Sequence, residues 1–407
     1  MSNQNLIRSM QDLEYAAQRT PRILTMFSGG LDSTLLLKLL AQSGGCEVIA
    51  LTVDVGDDID RAELNSLAAH FGARSVVVDA RDDFARIALS ALHAGAKYMN
   101  MYPVSSSLSR PLMARHAVAL AEEYGCGAIC HTANYSQNSL RRLNTSIKDL
   151  GYRGFFGTPY EFSVLSREEK IQRLITDFPG RFRSRSTSGD ANLWCREFES
   201  GQLDDPENFS LDPDLFRWTA ETSDCPKNDR LSVRFEGGLP VELNGIPMPQ
   251  VELIEKLNFL AGRFGIGRYV GLEHLEGGEK VLEAREAPAE AILSMAFSHL
   301  KMATQDAELL RETLPVGQLW LRECLEGRYY GKLRKATERF VEETASAVTG
   351  TVTFNLRAGA ADACSIVAAD PIYLTDRDAW EKQEARVRST VSLGAMQDKE
   401  KLAVSIG

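Results

Sequence analysis

Seven consecutive residues, Ser28-Gly29-Gly30-Leu31-Asp32-Ser33-Thr34, bring together two glycines, three hydroxyls and one carboxylate. Such a set suits a phosphate-like anion. Glycines let backbone N–H groups approach the ligand closely, Ser28, Ser33 and Thr34 offer hydroxyl donors, and a helix N-terminus adds unpaired N–H groups. The flanks supply the elements that must hold the loop. Arg22-Ile23-Leu24-Thr25-Met26-Phe27 reads as a buried strand, and Leu35, Leu36, Leu39 and Leu40 fall on one helical face. No Gly-Lys-Ser/Thr follows at the Walker spacing, so this is a different phosphate loop.

Five further clusters carry polar side chains in dense groups. They are Tyr102-Pro103-Val104-Ser105-Ser106-Ser107-Leu108-Ser109-Arg110-Pro111, Asn134 to Arg142, Ser186 to Trp194, Gly265-Ile266-Gly267-Arg268-Tyr269 with Glu273, and Arg285-Glu286-Ala287-Pro288. Helix capping would use one serine of the first group, so the surplus reads as a hydroxyl-lined rim for a polar ligand. Pro111 suits the first turn of the helix that follows.

The first 160 residues alternate Val/Ile-rich strands (Ile23–Phe27, Glu47–Val53, Ser75–Asp79, Ala128–Thr132, Gly154–Thr158) with amphipathic helices (Ser33–Ala41, Arg61–Phe71, Asp83–Lys97, Pro111–Tyr124). That order predicts an α/β fold, a parallel sheet with helices on both faces. The Ser28 loop, Asp54-Val55-Gly56 and His131-Thr132-Ala133-Asn134 all follow strands, so they should converge on one crevice at the carboxyl ends. From Leu231 the texture changes to an α+β second domain, with strands at Leu231–Phe235, Pro240–Leu243, Thr351–Leu356 and Ala363–Val367. Helices are expected at Gln250–Phe264, at Ala287–Ala303 and in a long stretch to Val348. The expected division is an N-terminal extension (1–20, a short helix from Asn5), a nucleotide-binding domain (21–180), a synthetase and multimerisation domain (181–372) and a C-terminal tail (373–407) that begins as a helix.

Bulk properties narrow the function. A net charge of -10 argues against broad nucleic-acid binding, despite the local cluster Arg181, Arg183 and Arg185. No apolar run reaches membrane-spanning length and the N-terminus lacks a secretory pattern, so no membrane partner and a cytoplasmic location are expected. Seven irregularly spaced cysteines fit reduced thiols. Cys126, Cys130 and His131 have the types of a metal trio, but Gly127–Cys130 reads as a buried strand and no metal ligand is assigned.

The order and spacing of these motifs resemble the argininosuccinate synthase family from about Arg22 to Thr375, within the PP-loop ATP pyrophosphatases. The resemblance rests on Phe27-Ser28-Gly29-Gly30-Leu31-Asp32, Asp54-Val55-Gly56, Ser107-Leu108-Ser109-Arg110-Pro111-Leu112 and Leu165-Ser166-Arg167-Glu168-Glu169. It continues in Asp190-Ala191-Asn192-Leu193-Trp194, Gly201 to Pro206, Gly265-Ile266-Gly267-Arg268 and Glu286-Ala287-Pro288. It implies a ligase that forms AMP and pyrophosphate, with ATP as substrate and Mg²⁺ as cofactor. The ureido oxygen of citrulline takes the adenylyl group, and the amine of aspartate then displaces AMP. It also implies a homotetramer with exchanged C-terminal helices.

Carried over by position, the ATP site is Met26, Phe27, Ser28, Gly29, Gly30, Leu31, Asp32, Ser33 and Thr34, with Val53 and Thr132. Ser28, Ser33 and Asp32 stand at the reacting phosphates, Asp32 as a loop-shaping or Mg²⁺-facing carboxylate. The ureido-substrate positions are Tyr102, Ser107, Asn138, Arg142, Ser188, Glu197, Glu273 and Arg285. Two of these depart from the pattern: the family has serine at Glu197 and tyrosine at Arg285. The amine positions are Ser106, Asn134, Asn138 and Ser139. Here a threonine has become Asn134, the aspartate that receives the substrate ammonium has become Ser139, and a Gly-Lys-Gly centre has become Tyr135-Ser136-Gln137. Losing a carboxylate that faces an ammonium removes about 1.5–3 kcal/mol. The expectation is therefore a specialised paralogue that joins a ureido compound to a different amine. Two alternatives stay open: a PP-loop RNA-modifying enzyme, and a degenerate ATP-binding paralogue acting as a sensor.

Overall fold

The structure, a computed structural model, describes residues 5–182, 188–220 and 227–404, with side chains described as far as 390. The chain lays down β1 (Leu6–Ile7), α1 (Met10–Ala17), β2 (Arg22–Met26), α2 (Leu31–Ser43), β3 (Glu47–Asp54), α3 (Arg61–His70), β4 (Arg74–Asp79) and α4 (Arg81–His93). Next come the ribbon β5 (Lys97–Tyr98) and β6 (Tyr102–Pro103), then α5 (Ser106–Glu123), β7 (Ala128–Cys130), α6 (Asn138–Asp149), β8 (Phe155–Gly157) and α7 (Arg167–Leu174).

Six of these strands form one sheet in the order β1-β8-β7-β2-β3-β4, with every pairing parallel. Alternation along the strands separates two apolar layers. Ile23, Val48 and Ala50 pack with Leu13, Leu36, Leu40 and Leu64 of α1, α2 and α3. Leu24, Ile49 and Leu51 pack with Phe84, Leu89, Leu112 and Val118 of α4 and α5. Helices therefore cover both faces, as the sequence predicts.

The second half adds β9 (Ser188–Ala191), β10 (Arg196–Glu199), β11 (Asp229–Glu236), β12 (Leu239–Leu243), β13 (Ile246–Pro247), α8 (Gln250–Gly262), β14 (Arg268–His274) and β15 (Lys280–Glu286). It ends with α9 (Pro288–Thr304), α10 (Ala307–Leu325), α11 (Lys332–Ser346), β16 (Gly350–Arg357), β17 (Ala360–Ala368) and α12 (Arg377–Val404). An antiparallel sheet β13-β12-β11-β16-β17 shares its core with α8 and α9. A second antiparallel sheet, β14-β15-β10-β9, stands against the crevice.

Three expectations are corrected. Asn5 to Thr20 is not one helix: Leu6–Ile7 joins the parallel sheet beside β8, and the helix starts after Ser9 with a capping box to Asp12. The helix expected from Pro111 starts earlier, because α5 already begins at Ser106 and Pro111 lies inside it rather than in its first turn. The polar run after β7 turns helical at Asn138. Of the basic cluster, Arg181 pairs with Glu63 at 2.6 Å, whereas Arg183 and Arg185, like Ser186, Thr187 and Cys225, lie outside the described residues. Among the described residues no helix is long and apolar enough to cross a membrane.

Candidate active site

The phosphate loop runs from the end of β2 into α2, whose N-cap is Gly30. Gly29 has φ +71°, and a Cβ there would sit 2.9 Å from Leu64 Cδ2, so only glycine fits without strain. The Ser28 N–H donates to Ser33 Oγ at 3.3 Å, and Ser33 Oγ donates to the Gly30 carbonyl at 3.2 Å. Ser28 Oγ lies 3.2 Å from Ser33 Oγ and accepts the Gly30 N–H at 3.4 Å. Thr34 is fully buried, and its hydroxyl has no hydrogen-bond partner among the described residues. Phe27 is buried with its carbonyl accepting the Thr52 hydroxyl at 2.7 Å, Met26 is half-buried, and Val53 is buried one strand over.

Asp32 meets a residue that sequence reasoning missed. Lys170 Nζ lies 2.8 Å from Asp32 Oδ1 and 5.1 Å from the centre of the Tyr160 ring. The Tyr160 hydroxyl donates to the Asp32 carbonyl at 3.0 Å. A capping box between Ser166 and Glu169 starts α7 and so aims Lys170. The sequence signal was the Ser166-Arg167-Glu168-Glu169 motif itself, which does not say where the next side chain points.

Arg142, Glu273 and Arg285 form the buried centre of the second cluster. Arg142 donates to Glu273 Oε1 and to Ser106 Oγ, each at 2.9 Å, and to the Leu325 carbonyl at 3.2 Å. Arg285 donates to Glu273 Oε2 at 2.8 Å and to Glu197 Oε1 at 3.2 Å, and it also bonds Glu283. The two positions that depart from the family pattern thus pair with each other. Burial alone would push the Glu273 carboxyl up, but Arg142 and Arg285 outweigh it and hold it at about 2. Burial pushes Glu197 and Glu283 up instead, because both share the one Arg285 and face further carboxylates. The Arg285 guanidinium also lies 4.2 Å from the centre of the Tyr102 ring.

The loop after β7 abuts this centre. Asn138 donates to Glu273 at 3.2 Å and to the His274 carbonyl at 2.8 Å, and Gln137 donates to Glu199 at 3.0 Å. Ser139 accepts from Arg110 at 3.1 Å, and Arg110 pairs with Asp190 at 3.0 Å. Asn134 turns inward on its own loop, accepting from Ser136, while Tyr135 is 70% exposed. Thr132 is half-buried beyond β7, and Ser107 is buried beside Ser106 on α5. Ser188 is exposed at the start of β9, opposite Glu199. Hydrogen bonds and ion pairs therefore join Ser106, Asn138, Arg142, Glu197, Glu273 and Arg285, with the Tyr102 ring against Arg285, while Ser139 belongs to a neighbouring group with Arg110 and Asp190 and Ser188 lies at the margin.

Three motif residues turn out to be braces. Asn192 accepts the N–H groups of Trp194 and Cys195 at 3.0 Å and donates to Ser105 at 2.6 Å. Glu286 is fully buried and accepts the backbone N–H groups of Arg217, Trp218 and Thr219, each at 3.0 Å. His131 has Nε2 2.9 Å from Asn144 Oδ1, and its Nδ1 accepts the Ala133 N–H; burial pushes the imidazole down to about 4. Cys126 and Cys130 are buried at and beside β7, Cys130 inside the core.

A parallel sheet whose second strand feeds a Ser-Gly-Gly loop into a helix defines a nucleotide-binding domain of the PP-loop type. Residues 22–173 match the family model for the argininosuccinate synthase N-terminal HUP domain, and residues 187–396 match that for its C-terminal domain. The match thus runs past Thr375, where the sequence resemblance was placed. The chain is 34% identical over 366 residues to the argininosuccinate synthase of Pyrococcus furiosus, spanning 89% of this chain and 88% of that one. It is 33% identical over 367 residues to that of Rubrobacter xylanophilus, spanning 89% of each. The chain belongs to the argininosuccinate synthase family, and with that membership it is an ATP-dependent ligase.

Proposed function

We propose that this ligase adenylates the oxygen of a citrulline-like ureido acid and then condenses the activated carbon with an amine other than aspartate. The phosphate loop carries the first half of the reading: two serine hydroxyls and glycine N–H groups stand together at a helix start, and the buried Thr34 hydroxyl one residue on has no partner among the described residues. In the first step the ureido oxygen attacks the α-phosphorus, the α–β bridging bond breaks, and pyrophosphate leaves with the electron pair. Loop donors stabilise charge that develops on the departing group. A urea becomes a usable electrophile only when its oxygen is turned into a leaving group, which is what adenylation achieves. In the second step the amine nitrogen bonds to the carbon and AMP departs.

Mg²⁺ is usually held by one or two carboxylates together with substrate phosphates. Asp32 fits that description, since its side chain stands at the phosphate loop with 35% exposure. When bound there, the ion would neutralise phosphate charge. Lys170 would hold the same carboxylate in place and offer a second positive charge to the phosphates.

Tyr102, Ser107, Asn138, Arg142 and Glu273 serve the ureido acid through hydrogen bonds and charge. The second half of the reading is supported by Ser139, which bonds Arg110 where the family places an ammonium-binding aspartate. A panel of ureido acids with ATP, analysed by mass spectrometry, tests the proposal. The expected nucleotide product is AMP with pyrophosphate. ADP as the product would overturn it.

A further inference from the structure

The Ser28–Thr34 loop holds one carboxylate and no cation. Asp32 stands in the first turn of α2, where unpaired backbone N–H groups favour an anion. A polyphosphate that uses those same N–H groups meets Asp32 as a like charge, so positive charge has to come from another element.

That charge comes from α7. Lys170 is 8% exposed, and its Nζ lies 2.8 Å from Asp32 Oδ1. An ammonium carries three N–H donors. Among the described residues Asp32 is the one acceptor that Lys170 meets, and the Tyr160 ring, its centre 5.1 Å from Nζ, covers another side. A buried ammonium is thus left with donors to spare beside the loop. The loop has an unfilled group of its own in the buried Thr34 hydroxyl, which has no partner among the described residues.

Fastening α7 to α2 does not need this lysine. Tyr160 packs with Leu35 of α2 and Leu174 of α7, and its hydroxyl donates to the Asp32 carbonyl at 3.0 Å. Lys38 of α2 pairs with Asp177 at 2.8 Å and donates to the Arg173 carbonyl at 2.5 Å. Lys170 has no part in these contacts.

We infer that Lys170 is a catalytic residue of the adenylation step, held on Asp32 until nucleotide binds and then donating directly to the departing pyrophosphate. The inference deepens the ligase reading above and rests on it. As the ureido oxygen bonds to the α-phosphorus, the bond from phosphorus to the bridging oxygen breaks and its electron pair goes to pyrophosphate. Lys170 gives N–H groups to that charge and keeps its proton. Its flexible four-carbon stem lets the ammonium pass between the two anions. Asp32 then does more than face Mg²⁺: it holds Lys170 back while the phosphates are absent. With Mg²⁺ on the carboxylate, the ammonium is released toward the phosphates.

Inorganic pyrophosphate is the probe, titrated by calorimetry with and without Mg²⁺. With Mg²⁺, Lys170→Met should weaken binding by about tenfold or more, the worth of one charge-assisted bond. Lys170→Gln should repeat that loss, and a urea titration of each variant reports its folding. Without Mg²⁺, Asp32→Asn should tighten binding about fivefold, because it frees the ammonium and removes a like charge. The cost of Lys170→Met should persist in the Asp32→Asn background, where a lysine acting only through Asp32 would have nothing left to hold. Unchanged affinity in both Lys170 variants, loss of their effect once residue 32 is Asn, or no binding of pyrophosphate to the wild-type protein would overturn the inference. If pyrophosphate binds through Lys170 but no ureido acid supports ATP–pyrophosphate exchange, the adenylation reading falls and the phosphate contact stands.

Discussion

The phosphate loop and the charged face of the sheet β14-β15-β10-β9 lie in one protein but obey opposite rules. In the loop, neighbours in sequence are mostly neighbours in space: Ser28, Gly30 and Ser33 bond one another within six residues, and only Asp32 reaches out, to Lys170. On the sheet face, charges arrive from β9, β10, β14, β15, α5 and α6, and they pair only across the fold. The loop keeps the family's residues, whereas the face departs from them at Glu197, Arg285 and Ser139. The proposed change of second substrate rests on that face, where single charges differ from the family pattern.

Breaking the face should cost stability as well as activity. Arg285→Ala leaves Glu197, Glu273 and Glu283 buried without their shared cation and should destabilise the fold by about 3–5 kcal/mol in urea titration. Combined with Glu197→Ser, the loss should be smaller than the sum of the single changes, because the pair is directly coupled. Breaking the loop should leave stability nearly intact but abolish the first step. Asp32→Asn should reduce ATP–pyrophosphate exchange by roughly a hundredfold or more. Unchanged exchange in that variant would count against the loop as the reaction site.

A third prediction separates the braces from the site. His131 is held at about 4 by burial, below its usual value near 6.5, so the unfolded chain binds the proton first. The stability it contributes is full above about pH 6.5 and is lost as pH falls toward 4. Between pH 7 and 5 the loss should be on the order of 2 kcal/mol, and His131→Asn should remove that pH dependence in urea titrations. The smallest expected effect is the sharpest for specificity. Ser139→Asp should shift acceptor preference toward aspartate by about tenfold, the worth of one charge-assisted bond.

What could be read from the sequence followed the same divide. The strands that Ile23, Glu47 and Ala128 begin were visible because apolar residues run through them, and the loop was visible because its ligand-binding groups are contiguous. The hairpins β9–β10 and β14–β15 escaped notice because their inward positions are Glu197, Glu199, Glu283 and Arg285, which read as solvated charge. Only the ladder register reveals that these side chains face one another. Two-residue β1 is too short to show any period, and Asn138 starts a helix whose first residues look like loop. Lys170 could not be found at all, since its role depends on how α7 docks beside α2.

The central claim is that a ureido oxygen captures the adenylyl group held by the Ser28–Thr34 loop. A ureido acid labelled with heavy oxygen, turned over with ATP and the accepted amine, tests it by mass spectrometry. Capture by the ureido oxygen leaves the label in the phosphate of AMP. Label retained in the organic product, or found in inorganic phosphate released alongside ADP, would contradict it.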